Sequence, residues 1–219
     1  MLVTLDIKGP PRAVLLTPYP DNAAVRQFRD HFRHALSNKT ILVSEIETRS
    51  WAELCTAFIS LPKNYNYNCL LILSHGTQNH RIVLQDPDFP LPDRLQDIEF
   101  LGDLRGWSGM FRSAFDDKLL MFAACHSGHL LNVDPLLHTG MALHVIAPTP
   151  NNPELEVSSG AKAMARYLEI LDQKNKDVMT PDDLAEAEGR VNADFPDTLK
   201  LWPYEADPSF VADLLKDLQ

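Results

Sequence analysis

The sequence has little positive charge. Its 219 residues contain 20 lysines and arginines against 30 aspartates and glutamates, which gives a net charge of −10. Nucleic-acid surfaces need clustered cations that displace phosphate counterions, so we expect no nucleic-acid partner. The hydrophobic share is 45% and the charged share 23%, close to the globular average. We expect a single domain over residues 1–219, in which residues 172–219 form a C-terminal helical extension packed on the rest.

Cysteines are few, and long apolar runs are missing. The cysteines are Cys55, Cys69 and Cys125, an odd set too small for a disulfide framework, which favours reduced thiols in the cytoplasm. No stretch approaches the roughly 18 apolar residues of a membrane-spanning helix. The amino terminus lacks the basic-then-apolar pattern of a secretory signal. We therefore expect a soluble, cytoplasmic protein without membrane association.

Glycine is also scarce, at 9 residues, whereas 16 prolines punctuate the chain between elements. Short apolar runs, typical of buried strands, alternate with amphipathic stretches. The five runs are residues 13–17, 41–46, 69–73, 119–124 and 143–147. This alternation predicts an α/β fold with a doubly wound, mostly parallel sheet flanked by helices.

Capping residues predict where the helices begin. Asp21 is a candidate N-cap for the first helix, and the Ser50–Glu53 capping box opens the second. Regular apolar spacing predicts a long helix over residues 157–171. Thr180-Pro181 is a strong start signal for the next helix, and Pro208 opens a last one. Between the third and fourth strands, residues 81–85 predict a short extra strand.

Two reactive side chains follow consecutive predicted strands. His75 comes after the third strand, and Cys125 after the fourth. Because ligands bind at the carboxyl ends of parallel strands, we expect the imidazole and the thiol to face one gap. A histidine can lower the pKa of a thiol or carry its proton to a leaving amine. Gly76 lets the backbone approach a substrate, so we expect the amides of Gly76 and Cys125 to bind an oxyanion.

The motifs around these residues resemble those of a known family. Ser74-His75-Gly76 after one strand and AACHSG (residues 123–128) after the next are similar to the caspase-like cysteine proteases of clan CD. That group contains caspases, metacaspases and CHAT domains. The caspase signature has a histidine about 50 residues before the cysteine, and the separation here is 50 residues. HGTQ and CHSG look metacaspase-like, whereas HTGMALHVIAPTP looks CHAT-like, and the resemblance covers roughly residues 11–171.

The resemblance implies both a fold and an activity. It implies a caspase-hemoglobinase fold, an αβα sandwich, with His75 and Cys125 as catalytic dyad and Gly76 as oxyanion donor. The implied activity is a thiol protease that cleaves a protein substrate through an acyl-thioenzyme, in programmed cell death or antiviral defence against phage. Residues 127–141 are too few for a large cleavable linker. The resemblance therefore implies a single chain that is activated by a regulatory protein partner.

The substrate-binding positions depart from the family. Metacaspases carry aspartate two residues before the cysteine to bind a basic side chain, and caspases carry glutamine there; this chain has Ala123. Asp21 lies where the family contributes another wall of that pocket, and it would supply an anion for lysine or arginine. Its alternative role is the helix cap, which we favour. Which substrate side chain is preferred at the cleavage site therefore stays open.

Two other classes of function stay open. A catalytically silent caspase-like module would bind a partner or assemble a signalling complex, with its thiol walled in by Trp107 or Trp202. A flavodoxin-like binder of nucleotides or phosphate would use the same type of sheet, but the sequence has no glycine-rich loop between a strand and a helix. We therefore favour the cysteine endopeptidase.

No metal or cofactor is expected. Cys125, His126 and His129 have ligand side chains, but no second pair with zinc spacing accompanies them. An acidic loop suits calcium, although a solvated loop is the simpler interpretation. Its acidic residues are Asp86, Asp88, Asp93 and Asp97. Cys55 and Cys69 have the apolar flanks of inert core residues.

Overall fold

The predicted strands and helices recur in the structure with small shifts of their ends. A computed structural model describes residues 6–77, 82–84, 96–98, 108–128 and 142–203. Its strands are β1 (Ile7–Lys8), β2 (Arg12–Thr17), β3 (Leu42–Glu47), β4 (Cys69–Leu73), β5 (His75–Gly76), β6 (Ile82–Leu84), β7 (Gln96–Ile98), β8 (Leu119–Ala123), β9 (His144–Pro148), β10 (Val178–Met179) and β11 (Leu199–Pro203). Its helices are α1 (Ala23–Leu36), α2 (Trp51–Asn64), α3 (Ser108–Phe115), α4 (Val157–Gln173) and α5 (Pro181–Asp194).

The central sheet has six strands in the order β11-β9-β8-β4-β2-β3. Parallel pairing joins β3 to β2, β2 to β4, β4 to β8 and β8 to β9, whereas β11 runs antiparallel to β9. The prediction of an α/β fold with a mostly parallel sheet is confirmed. From the β2–β4 pair the chain proceeds outward in both directions, so this pair marks the switch point beside which ligand crevices form.

Helices cover both faces of the sheet. Strands β4, β8 and β9 are buried along their whole length, which explains why they are continuous apolar runs. Alternate residues enter opposite cores: Leu71 and Leu73 pack with α1, α4 and α5, and Leu70 and Ile72 pack with α2 and α3. The predicted arrangement of a sheet between two helical layers is therefore observed.

The first helix is capped by Asn22, one residue after the position that the sequence predicted. The Asn22 carboxamide oxygen accepts hydrogen bonds from the amides of Ala24 and Val25. The Asp21 prediction is wrong because Asn22 is the extended residue next to the first helical turn. The Asp21 carboxylate instead lies 3.6 Å from Nε of Arg49.

The other helix starts follow their predicted signals. Ser50 caps α2 by accepting from the Glu53 amide, although the Glu53 carboxylate reaches the amide of Arg49 rather than that of Ser50. Thr180 and Asp183 form a complete capping box at α5, with Pro181 in its first turn. The short extra strand predicted for residues 81–85 is β6, which pairs antiparallel with β5 and β7.

The C-terminal region contains a strand that the sequence analysis did not predict. Within residues 172–203 the chain forms α5 and then β11, which extends the sheet beyond β9. Trp202 of this strand is 7% exposed. The helix predicted from Pro208 lies outside the described residues. No helix in the described part of the chain is long and apolar enough to cross a membrane.

Candidate active site

His75 and Cys125 follow neighbouring parallel strands. Leu73, which ends β4, is the register partner of Ala123, which ends β8. His75 and Cys125 therefore emerge from the same edge of the sheet, and both line the same two cavities. His75 is exposed and Cys125 is partly buried. The structure thus brings together the two reactive side chains that the sequence singled out.

Gly76 lies directly against the backbone of Cys125. A Cβ atom added to Gly76 would lie 1.8 Å from the carbonyl oxygen of Cys125 and 2.8 Å from its nitrogen. No side chain fits in that space, because non-bonded carbon and oxygen atoms need more than 3 Å. Glycine therefore allows the segment carrying His75 to approach the turn carrying Cys125.

Hydrogen bonds hold the ends of β4 and β8 together. The Ser74 amide donates to the carbonyl of Ala123 at 3.2 Å. The buried Ser74 hydroxyl donates to the carbonyl of Val83 on β6. Ser74 therefore links three strands one residue before His75, which restricts where the imidazole can lie.

Cys125 lies in a tight turn anchored to the segment after β9. His126 has a φ of 60°, a left-handed conformation that is costly for residues other than glycine and is often found at functional sites. The His126 amide donates to the carbonyl of Pro153 at 2.8 Å, and the Ser127 hydroxyl donates to the carbonyl of Ala124 at 2.6 Å. These bonds hold the thiol at the mouth of both cavities.

Trp202 packs beside this turn and not over the thiol. A Cβ atom on Gly128 would lie 1.9 Å from the carbonyl oxygen of Pro148 and 2.8 Å from Cη2 of Trp202. Trp202 lines neither cavity beside Cys125. The tryptophan wall considered for a silent module is therefore not formed by Trp202, and Trp107 lies outside the described residues.

Two cavities of different character meet at His75 and Cys125. The narrow cavity, about 150 Å³, lies between α1, α4 and the ends of β4 and β8. Its apolar walls are Ala24, Val25, Phe28, Ala123, Leu155 and Val157. The wide cavity, about 790 Å³, extends along the segment between β9 and α4. Its polar walls include Thr77, His126, Asn152, Glu154 and Glu156.

The two predicted substrate-binding residues have different positions. Ala123 lines the narrow cavity. Asp21 lines neither cavity, and its carboxylate lies near Arg49. A basic substrate side chain in the narrow cavity would therefore not meet the anion that the resemblance implied.

The sequence analysis missed the segment that separates the two cavities. In residues 154–157 the acidic side chains line the wide cavity, whereas Leu155 and Val157 also line the narrow one. The alternation Glu-Leu-Glu-Val, placed just after a predicted strand, was a signal for a two-sided wall. Gly160 provides space for Leu155, since a Cβ atom there would lie 2.5 Å from Cγ of Leu155.

The two glutamates of this segment differ in their bonding. Glu156 caps α4 by accepting from the amides of Ser158 and Ser159, at 3.0 and 2.6 Å, and from the Ser159 hydroxyl. The bonds from Ser159 are the main cause that lowers the pKa of Glu156. Glu154 is exposed at the rim of the wide cavity. Both carboxylates give this cavity a negative wall.

The remaining cysteines do not add to the site. Burial raises the pKa of the Cys69 thiol to about 12 and also raises the pKa of Cys55, which makes both thiols poor nucleophiles. Among the residues that the structure describes, no three histidine, cysteine or acidic side chains are grouped to hold a metal ion. His129 and the acidic residues 86, 88 and 93 lie outside the described residues, and of Asp97 only the backbone is described.

The structure thus defines an α/β protein in which a thiol and an imidazole adjoin two cavities at the carboxyl edge of a parallel sheet. No protein-family model matches the chain, and no curated protein matches it.

Proposed function

We propose that this protein is a caspase-like cysteine endopeptidase with the caspase-hemoglobinase fold. The observation that carries the proposal is the pairing of β4 with β8, whose ends bring His75 and Cys125 to one gap between two cavities. A peptidase needs a nucleophile and a base at the centre of a groove, with space for substrate on both sides. A thiol and an imidazole that line two cavities support this assignment.

In the proposed reaction His75 takes the proton of the Cys125 thiol, and the sulfur attacks the carbonyl carbon of the scissile peptide. The new C–S bond places negative charge on the carbonyl oxygen, which the amides of Gly76 and Cys125 stabilise. His75 then gives its proton to the leaving amine as the C–N bond breaks. Water, deprotonated by His75, hydrolyses the thioester and regenerates the thiol.

Two features of the turn support the oxyanion role. Gly76 approaches the Cys125 backbone so closely that their peptide groups border one space. Within the described residues, no hydrogen bond engages the Cys125 amide. We therefore assign this amide as one of the two donors to the oxyanion.

The biological setting of the proposal is a cytoplasmic protease that acts in cell death or antiphage defence when a regulatory protein binds it. All three cysteines are free, as expected in a reducing compartment. The short separation of the cysteine motif from β9 supports activation by a partner and not by cleavage of the chain itself.

The test is labelling by peptidyl acyloxymethyl-ketone probes, which alkylate a catalytic thiol only when the enzyme processes them as substrates. Wild type, Cys125→Ala and His75→Ala would be compared with Cys55→Ala and His34→Ala, which remove the same chemical groups outside both cavities. We expect Cys125→Ala and His75→Ala to reduce labelling and peptide cleavage at least about a thousandfold. Both controls are expected to react like wild type.

A different result would favour the silent interaction module. If iodoacetamide alkylates Cys125 but no probe labels it, including in a lysate of cells that express the protein, the thiol is accessible but not catalytic. Cleavage that survives Cys125→Ala in a folded protein would contradict the proposed nucleophile directly.

A further inference from the structure

We infer that the narrow cavity binds the side chain of the substrate residue whose carbonyl is attacked, and that it selects an apolar side chain of leucine or methionine size. This inference rests on the proposed function, because it assigns the specificity pocket of the same site. It departs from the acidic pocket that Asp21 would have supplied.

The position and the size of the narrow cavity together identify which substrate residue enters it. His75 and Cys125 line both cavities, but the narrow one, about 150 Å³, has the size of one side chain, whereas the wide one, about 790 Å³, has room for several residues. The side chain of the attacked residue begins next to the reacting carbonyl carbon, so it must enter a space that borders the thiol. Residues farther along the substrate lie farther from the sulfur and have the wide cavity available.

The lining of the narrow cavity is apolar and rigidly packed. Val25 is 3% exposed, Phe28 4% and Ala123 2%, and all belong to the core cluster between the sheet and α1, α4 and α5. Leu155 and Val157 pack against the same cluster. A substrate side chain in this cavity therefore extends the hydrophobic core, which favours apolar groups.

Apart from the pair His75 and Cys125, the described lining of the narrow cavity offers a charged side chain no ionisable partner. Among the described lining residues there is no lysine, arginine, aspartate or glutamate. The hydroxyl of Ser74 is already engaged with the carbonyl of Val83. At the start of α1 the amides of Ala24 and Val25 are engaged by Asn22 at 2.9 and 3.2 Å, so this helix end offers them to no anion. Burying an unpaired charge is strongly unfavourable.

The volume sets the size of the side chain. The narrow cavity measures about 150 Å³, and an apolar protein cavity of about 150 Å³ holds benzene. A leucine or methionine side chain fills such a space, whereas alanine leaves most of it empty and tryptophan exceeds it. We therefore expect the rate of Cys125 labelling to rise when the probe's side chain changes from alanine to leucine or methionine, and to fall again for tryptophan.

The first experiment measures the second-order rate of Cys125 labelling by intact-protein mass spectrometry. The acyloxymethyl-ketone probes differ only in the side chain next to the reactive ketone: leucine, methionine, alanine, tryptophan, arginine, lysine or aspartate. We expect leucine and methionine to react about 100-fold faster than the charged probes.

The outcomes separate the two claims. Dyad-dependent labelling that is fastest with arginine, lysine or aspartate overturns the apolar pocket but leaves the protease proposal standing. Labelling by none of the probes, both in the purified protein and in a lysate of cells that express it, with Cys125 alkylated by iodoacetamide, overturns both.

A pair of substitutions on α1 tests the wall itself. Ala24 is exposed and lines the narrow cavity, whereas its neighbour Ala23 is equally exposed and does not line it. An aspartate near a helix N-terminus is tolerated at either position, so both variants should fold. Ala24→Asp is expected to raise the arginine-to-leucine rate ratio about tenfold, because it adds a carboxylate to the apolar wall. Ala23→Asp is expected to leave the ratio unchanged, and equal ratios in the two variants would overturn the assignment of this wall.

Discussion

The narrow cavity and the wide cavity share His75 and Cys125 but are built from different parts of the fold. The walls of the narrow cavity come largely from residues that also form the hydrophobic core. The wide cavity is lined by residues 75–77, by the turn after β8 and mainly by the segment between β9 and α4. Core walls are held by packing and favour apolar groups, whereas exposed segments carry charge and vary without loss of the fold. The same reactive pair therefore adjoins a packed apolar surface and an exposed polar one.

The boundary between the cavities is one extended segment with alternating side chains. Leu155 faces the space that Gly160 leaves open on α4. Glu156 on the same segment turns its carboxylate to the first turn of that helix. Substitution of Glu154 or Glu156 therefore changes the wall of the wide cavity alone, whereas Leu155 belongs to both cavities.

The largest effect is expected where the two cavities meet. Gly76→Ala would place a Cβ atom 1.8 Å from the carbonyl oxygen of Cys125, so β5 and the cysteine turn must move apart. A displacement of about 1 Å at reacting groups lowers the rate about 100-fold, and we expect at least that loss for every probe. The measurement is the labelling rate together with a urea denaturation curve.

Gly189→Ala is the matched control for Gly76→Ala. A Cβ atom on Gly189 meets nothing within 4 Å, and alanine within a helix is about 0.5–1 kcal/mol more stable than glycine. We expect α5 to be stabilised and labelling to be unchanged. Wild-type labelling by Gly76→Ala would show that the close approach to Cys125 is not needed.

The next largest effect is expected from widening the narrow cavity at Leu155, which also lines the wide cavity. Leu155→Ala removes part of its wall, so we expect the leucine probe to react about tenfold more slowly and the tryptophan probe to gain relative to it. Labelling rates for both probes measure this change. Leu42→Ala is the control, since Leu42 is 69% exposed on the edge strand β3. An unchanged leucine-to-tryptophan ratio in Leu155→Ala would place the apolar side chain elsewhere.

A smaller effect is expected in the wide cavity. Glu154→Gln removes one negative charge at its rim, and we expect peptides with lysine or arginine beyond the attacked residue to be cleaved about threefold more slowly. High salt should remove the difference because exposed charges are screened. Asp30→Asn, which removes an equal charge from the exposed surface of α1, serves as control. Equal losses in the two variants would indicate a general effect of net charge.

The sequence was sufficient for the five parallel strands and for the shared sheet edge of His75 and Cys125, because both depend on local patterns. Buried parallel strands are continuous apolar runs, and the positions of His75 and Cys125 follow from the strand ends. The strand β11 was missed because its pairing with β9 is a long-range contact and its sequence, LKLWP, is not a continuous apolar run. The cap of α1 was predicted at Asp21 and not at Asn22, because adjacent Asp and Asn are equally good caps.

The cavities could not be predicted in the same way. The narrow cavity combines residues of α1, β8 and the segment before α4, and only the tertiary structure shows that these meet beside Cys125. Ala123 was recognised as a departure from the family, but its significance depends on Phe28 and Leu155 being its neighbours in the wall. Pocket chemistry is a property of packing between elements that are distant in sequence.

The smallest effect on activity is expected from Glu156, whose carboxylate belongs to the fold although it lines the wide cavity. Hydrogen bonds from Ser159 and Ser158 lower the pKa of Glu156 in the folded state. The stabilisation is therefore fully present above the ordinary glutamate pKa of about 4.3 and is lost as the pH falls through the lowered folded value. Glu156→Ala should cost about 0.5–1 kcal/mol at neutral pH by loss of the cap, with labelling nearly unchanged. Urea denaturation at neutral pH and at pH about 3 measures the free energy of unfolding of both proteins. The difference between Glu156→Ala and wild type should shrink in acid. A difference that grows in acid would contradict the capping role.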